Sequence, residues 1–292
     1  MRRLPHQSRT TAAPTVEARV KTASRALVIA AGLAGCASAG NGVESVDAPP
    51  GSIDAPGSID GAIDAAPSAC DLALASLATG FESGAAGWTH VVLDGASAAG
   101  WPLDEWQIGA ATSGPGSCRT GAGCWATRLD ANYTSCERAA LISPMIDLSM
   151  CAGDSVNITF WTWHDFWTGT VSGKPETWYD GGLVEVSPNG SQWQAVTPSP
   201  AYPGTIAINP NISSYSCVSQ NNFYVHTKPG WVGTSGGWKE ITVPIPTGAL
   251  TSSFRLRFAF SSGVSFANNN AETNRSHTRP GWYIDDLSFS SP

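Results

Sequence analysis

The chain has 292 residues, only 13% of them charged, and it is rich in glycine, proline and tryptophan. Its formal net charge is −7, and beyond Cys36 ten basic residues face twenty-two acidic ones. A nucleic-acid partner requires a basic footprint, so that class is excluded, and an anionic membrane surface would repel the same region.

Six basic residues precede residue 26, where Glu17 is the only acid. Residues 26–35 then form an apolar run, too short to span a bilayer but suited to the h-region of a signal peptide. The run ends in Leu33-Ala34-Gly35-Cys36, which resembles the lipobox of bacterial lipoproteins. The resemblance implies removal of residues 1–35 and lipidation of Cys36. The protein would sit in a bacterial cell envelope, at the outer membrane or cell surface, touching the membrane only through acyl chains. Residues 36–69 contain no aromatic residue, and Gly-Ser-Ile-Asp-Ala-Pro at 51–56 is nearly repeated at 57–62. Such a segment buries too little apolar surface to offset its ordering entropy, so it reads as a disordered tether before a domain spanning 70–292.

Cys36 aside, six cysteines remain: Cys70, Cys118, Cys124, Cys136, Cys151 and Cys217. An even number in an exported domain predicts three disulfides. The short spacing favours Cys118 with Cys124, and Cys136 with Cys151 is a weaker pairing. A zinc cluster is disfavoured, because no pair has C-x-x-C spacing and no histidine stands at ligand distance.

From Cys70 onward, short apolar runs alternate with Gly, Pro, Asn and Ser. A helical turn or two is weakly indicated over 71–78. Strands are expected around Phe81–Glu82, 91–93, 106–108, 124–129, 139–142, 156–166, 182–187 and 193–196. Residues 198–237 read as a long excursion of loops at one end of the domain. Strands resume at 238–245, at 254–260 and over Gly281–Phe289. In the run from Phe254 to Phe260 the four apolar side chains face a core, and Arg255 and Arg257 face outward or across a sheet edge. Many short strands without helical crossovers predict an all-β, two-sheet antiparallel jelly-roll sandwich with long loops.

Several blocks occur in a fixed order. They are Phe81-Glu82 before Gly87-Trp88, Trp125 to Asp130, Leu141 to Ser149, Phe160 to His164, Tyr179 to Ser187, and Gly281 to Leu287. Together they resemble MAM-like jelly-roll domains, above all those appended to secreted bacterial metallopeptidases of the immune-inhibitor-A type. That resemblance implies a noncatalytic accompanying domain. It also implies one structural calcium ion near the first and last strands. Glu82 and Asp285 match the family's acids there, and Asp130, Asp180 and Asp286 are secondary candidates. Strand parity places Asp285 on the face of Leu287 and Phe289 and sets Asp286 on the opposite one. An arginine, Arg128 or Arg255, is the alternative partner for Asp285. The chain contains no H-E-x-x-H.

Trp167, Trp178, Tyr179 and Trp231 lie in or beside loops, where aromatic rings could stack on sugars. The competing reading is that they cover the edge of the core. Gly233-Thr234-Ser235-Gly236-Gly237 fits G-x-S-x-G, but that motif needs a strand-turn-helix elbow, so it reads as a chance match. His164 and Asp165 are strand neighbours that point to opposite faces, so His164 is expected to be structural. No catalytic residue is assigned. The sequence therefore predicts a noncatalytic surface lipoprotein presenting a binding module for a glycan or protein. The alternatives are a polysaccharide hydrolase or lyase and a purely structural or adhesive envelope protein.

Overall fold

The computed structural model describes residues 66–93, 104–169, 176–208, 223–263 and 278–292. The segment expected to be a signal peptide, Cys36, nearly all of the expected tether, and Cys217 lie outside the described residues. The one α-helix among these residues, α1 (Ala69–Ala75), starts with a capping box. The Ser68 hydroxyl accepts from the Asp71 amide, and the Asp71 carboxylate accepts from the Ser68 amide. These bonds satisfy amides that have no partner within the helix.

Fourteen strands follow among the described residues. They are β1 (Thr89–Val92), β2 (Gln107–Gly109), β3 (Cys124–Ala126), β4 (Arg138–Ile142), β5 (Val156–Asp165), β6 (Thr168–Gly169), β7 (Thr177–Trp178), β8 (Gly181–Ser187), β9 (Gln194–Ala195), β10 (Gly204–Thr205), β11 (Pro229–Gly230), β12 (Lys239–Ile245), β13 (Arg255–Ser261) and β14 (Gly281–Ser290). Two five-stranded antiparallel sheets, ordered β1-β4-β13-β8-β9 and β12-β5-β14-β3-β2, form the predicted two-sheet jelly-roll sandwich. β6 with β7, and β10 with β11, form small ribbons.

Alternation decides what each strand buries. Along β5, Val156, Ile158, Phe160, Thr162 and His164 are buried, and the residues between them are partly exposed. Leu256, Phe258 and Phe260 of β13 enter the same core as Phe160 and Ile284. Trp282 lies at its centre, with ring centroids 5.8 Å from Trp106, 5.5 Å from Trp231 and 5.6 Å from Phe258. Its indole N–H donates to Thr162 Oγ1 at 2.7 Å. Gly182 makes room for it, since a Cβ there would lie 2.4 Å from the Trp282 ring.

Several expectations are corrected. Phe81 and Glu82 lie in a turn, with Phe81 at φ 59°, and the pairing nearby is an isolated bridge from Thr79 to Leu287. Cys151 is bonded to Cys70 rather than to Cys136, joining α1 to the 3₁₀ turn Ser149–Cys151. Cys118 is bonded to Cys124, and Cys136 is also disulfide-bonded. Arg257 faces away from the core as expected, but that face is covered. It is 6% exposed and pairs with buried Glu185 at 2.6 Å. The 198–237 excursion is more than end loops, because it inserts Trp231 into the core beside Phe160 and Tyr202.

Candidate functional site: a two-tryptophan cleft

Where β5 ends, the chain turns into the β6–β7 ribbon and leaves a cleft of about 860 Å³. Asp165, Trp167 and Thr168 line one side, Glu176 and Trp178 another, and Thr234 and Arg279 complete the polar lining. The size and the mixture of aromatic and polar groups suit a small-ligand or oligomer site.

The walls are fixed by backbone pairing. Asp165 bridges to Thr234, and the Phe166 amide donates to the Gly233 carbonyl at 2.8 Å. Trp178 is held from behind, its carbonyl accepting from Ala207 N at 2.7 Å. A Cβ on Gly204 would lie 2.9 Å from the Trp178 ring, so that glycine permits the contact. Trp167 stacks on Tyr179 at 6.2 Å between centroids.

A buried polar strut supports the floor. The Trp167 amide donates to the Tyr133 hydroxyl at 2.9 Å, and that hydroxyl donates to the Asp180 carboxylate. Asp180 also accepts from the Gly263 amide. Burial pushes the Asp180 carboxyl up to about 7, and the hydrogen bonds from Tyr133 and Gly263 only partly counter it. In the unfolded chain the same carboxyl titrates near its ordinary value, about 3.9. Between these two values the folded protein retains a proton that the unfolded chain has released. Raising the pH through this window therefore favours unfolding. We expect the melting temperature to fall as pH rises from about 4 to 7, and Asp180→Asn to flatten that part of the profile. An unchanged profile in the variant would remove Asp180 as its source.

Asp165 is raised by burial, and the charge of Arg279 opposes the shift. His164, on the opposite face, is 4% exposed and pushed down to about 4 by burial. Ser235 staples the main chain, its hydroxyl accepting from His164 N at 3.0 Å and donating to His164 O at 3.1 Å. This hydroxyl is engaged in backbone bonding.

The four aromatic candidates separate. Trp167 and Trp178 line the cleft. Tyr179, 8% exposed, backs Trp167, while Trp231, 3% exposed, belongs to the core and not to any ligand surface. Sequence reasoning passed over Glu176 and Arg279 and weighed Asp165 only as the neighbour of His164. The available signal was Trp161-x-Trp163-x-Asp165 on the outward face of the longest apolar strand.

Glu82, Asp285 and Asp286 do meet, but around a loop. Asp285 Oδ2 accepts from the amides of Arg119 at 2.9 Å and Thr120 at 3.2 Å. Glu82 Oε2 accepts from the amides of Ala122 at 2.8 Å and Gly123 at 3.2 Å. Asp286 Oδ1 accepts from the Thr120 hydroxyl at 2.7 Å. The Cys118–Cys124 disulfide closes this loop. Gly121, at φ +52°, is required because a Cβ there would lie 2.1 Å from Glu82 Oε1. The parity expectation fails because a bulge separates Asp285 from Ser288, with Asp286 at φ 47°. Asp285 therefore pairs in register with outward-facing Trp161, while Leu287 and Phe289 turn into the core.

The remaining acids stand elsewhere. Asp130 pairs with Arg128, which also holds Glu105, and Asp180 lies under the cleft. Arg128 is thus committed away from Asp285. The donors facing Asp285 and Glu82 are N–H groups, which point positive charge at the space a cation would need. Among the described residues this donor chemistry fits a loop clamp better than a calcium site.

No protein-family model and no curated protein matches the chain. Solved structures do. The K2 cleaved adhesin domain of Lys-gingipain aligns at a TM-score of 0.37 with 14% identity, covering 73% of this chain and 98% of that one. The CBM22-2 xylan-binding domain of Paenibacillus barcinonensis Xyn10C aligns at 0.33 with 12% identity, covering 74% and 98%. The CBM22-1–CBM22-2 tandem of the same protein aligns at 0.34 with 12% identity, covering 74% of this chain and 49% of the tandem.

Proposed function

We propose that this MAM-like jelly roll is a noncatalytic glycan-binding module, carried on a lipid tether at a bacterial cell surface. The observation that carries the reading is the cleft. Two partly exposed indoles, Trp167 and Trp178, stand with Asp165, Glu176 and Arg279 around one opening. Indole faces supply apolar area for the C–H face of a sugar ring. Carboxylates, a guanidinium and threonine hydroxyls supply directional bonds to its hydroxyls. A glycan array probed with the full chain tests this. Trp178→Ala is expected to weaken the best-bound glycan at least about tenfold, equivalent to roughly 1.4 kcal/mol. A variant that binds like the wild type would move the site elsewhere.

A second reading, polysaccharide hydrolysis, has one observation in its favour: Asp165 and Glu176 share the cleft. Most glycosidases use two carboxylates flanking the scissile bond. Release of reducing ends that is abolished by Asp165→Asn would establish it. Absence of release from every glycan that binds on the array would leave the binding reading in place.

A further inference from the structure

The outward face of the sheet β12-β5-β14-β3-β2 carries aromatic surface that the core does not use. Alternation along β5 sends Trp161, Trp163 and Asp165 to this face, all partly exposed. Trp238 immediately precedes β12, and the register Lys239↔Thr162 sets it beside Trp163. Both indoles pack on the small outer cluster that contains Tyr283. Tyr283 lies opposite Trp163 in register, with the rings edge to face at 5.4 Å. The Arg119 guanidinium covers part of Trp161 at 4.0 Å, a cation–π contact.

This row ends in the cleft. Asp165, its last member, is also a cleft-lining residue. From Asp165 to Trp161 the strand advances about 13 Å, so the aromatic surface continues well past the cleft along one line. Two partly exposed indoles along β5, with a third beside them at the start of β12, suit an extended chain better than a single terminal sugar. The charges narrow the choice further. Asp165, Glu176 and Glu240 stand along this path against Arg119 and Arg279, and Arg119 is already engaged on Trp161. Carboxylates accept hydrogen bonds from sugar hydroxyls and repel uronates or sulfates.

We infer that the cleft and the Trp163–Trp238–Trp161 row form one continuous groove for an extended, uncharged polysaccharide, a deepening that rests on the glycan-binding reading. Titration calorimetry of the full chain with neutral β-1,4-linked oligosaccharides of two to six units tests it, with polygalacturonate as the anionic probe. In the wild type, affinity should rise at least tenfold from two units to six, and polygalacturonate should bind more weakly than the six-unit probe. Trp161→Ala and Trp238→Ala, each checked for an unchanged melting temperature, should return the six-unit affinity to that of two units. Neither should alter two-unit binding by more than twofold. Equal affinity for two and six units, with Trp178→Ala weakening both at least tenfold, would overturn the groove and leave the cleft standing. Equal loss of short and long ligands in the row variants, or tighter binding of polygalacturonate, would also overturn it. If no neutral oligosaccharide binds, the groove falls; if polygalacturonate and every glycan on the array also fail to bind, the glycan-binding reading falls with it.

Discussion

Trp282→Ala is expected to cost about 4 kcal/mol of folding free energy, within the range for emptying a large aromatic site in a packed core. Trp282 is fully buried, and its ring meets Trp106, Phe166, Trp231 and Phe258 from both sheets and from the 198–237 excursion. Little can collapse into the space left behind, because Phe258 belongs to a strand paired on both sides, and backbone bonds to Gly182 and Gly233 hold Trp231 and Phe166 in place. The Thr162 hydroxyl would also lose its indole donor. For a domain of this size the melting temperature should fall on the order of 10 °C. Gly182→Ala approaches the same contact from the other side and should also destabilise, since its new Cβ would overlap the Trp282 ring. Urea unfolding of the three proteins measures both effects. A loss below about 1.5 kcal/mol in Trp282→Ala would mean that the core repacks, contrary to the usual cost of such a cavity. Phe166 touches Trp282 and also lines the cleft, so this variant should weaken ligand binding as well.

The core was legible because it depends on periodicity. Phe254 to Phe260 alternates cleanly, Val156 to Phe166 is the longest apolar run, and each strand lies where its pattern puts it. Alternation also separated His164 from Asp165, sending one to the core and the other to the cleft. What failed were features that periodicity does not encode. The parity argument at Asp285 assumed an unbroken strand, and the bulge before Ser288 reverses the faces. Arg257 faces away from the core as its parity predicts, yet its burial was not legible: Glu185, opposite it on β8, and the Trp193 ring that covers it make a buried ion pair tolerable. Trp231 sits in a Pro- and Gly-rich stretch that suggests a surface loop. It is in the core because the backbone bridge between Trp231 and Gly182 carries it between the sheets. The cleft was legible only in part. Trp167 and Trp178 were visible as loop aromatics. Glu176 and Arg279 come from segments far apart in sequence, and only tertiary structure brings them together.

Asp285→Ala should destabilise the domain by about 3 kcal/mol, because it strips the acceptor from the amides of Arg119, Thr120 and Asp286 at once. Asp285→Asn should lie between wild type and alanine. Its carbonyl oxygen can keep one set of donors, but its NH₂ group must face the other. The carboxyl of Asp285 is pushed up to about 6 by burial, with the amides of Thr120, Asp286 and Arg119 opposing the shift. A carboxyl whose folded value is raised lends stability below its ordinary value and loses it as pH climbs toward 6. The wild type should therefore lose stability between about pH 4 and 6, and Asp285→Asn should lose less over that interval. The same experiment decides the role of calcium. If backbone amides complete the clamp, chelator leaves the wild-type melting temperature unchanged, and Glu82→Gln costs only about 1 kcal/mol because the amide oxygen can still accept from Ala122 and Gly123. A rise of several degrees on adding calcium, lost in both Glu82→Gln and Asp285→Asn, would mean that a cation joins these acids and that the loop amides alone do not close the fold.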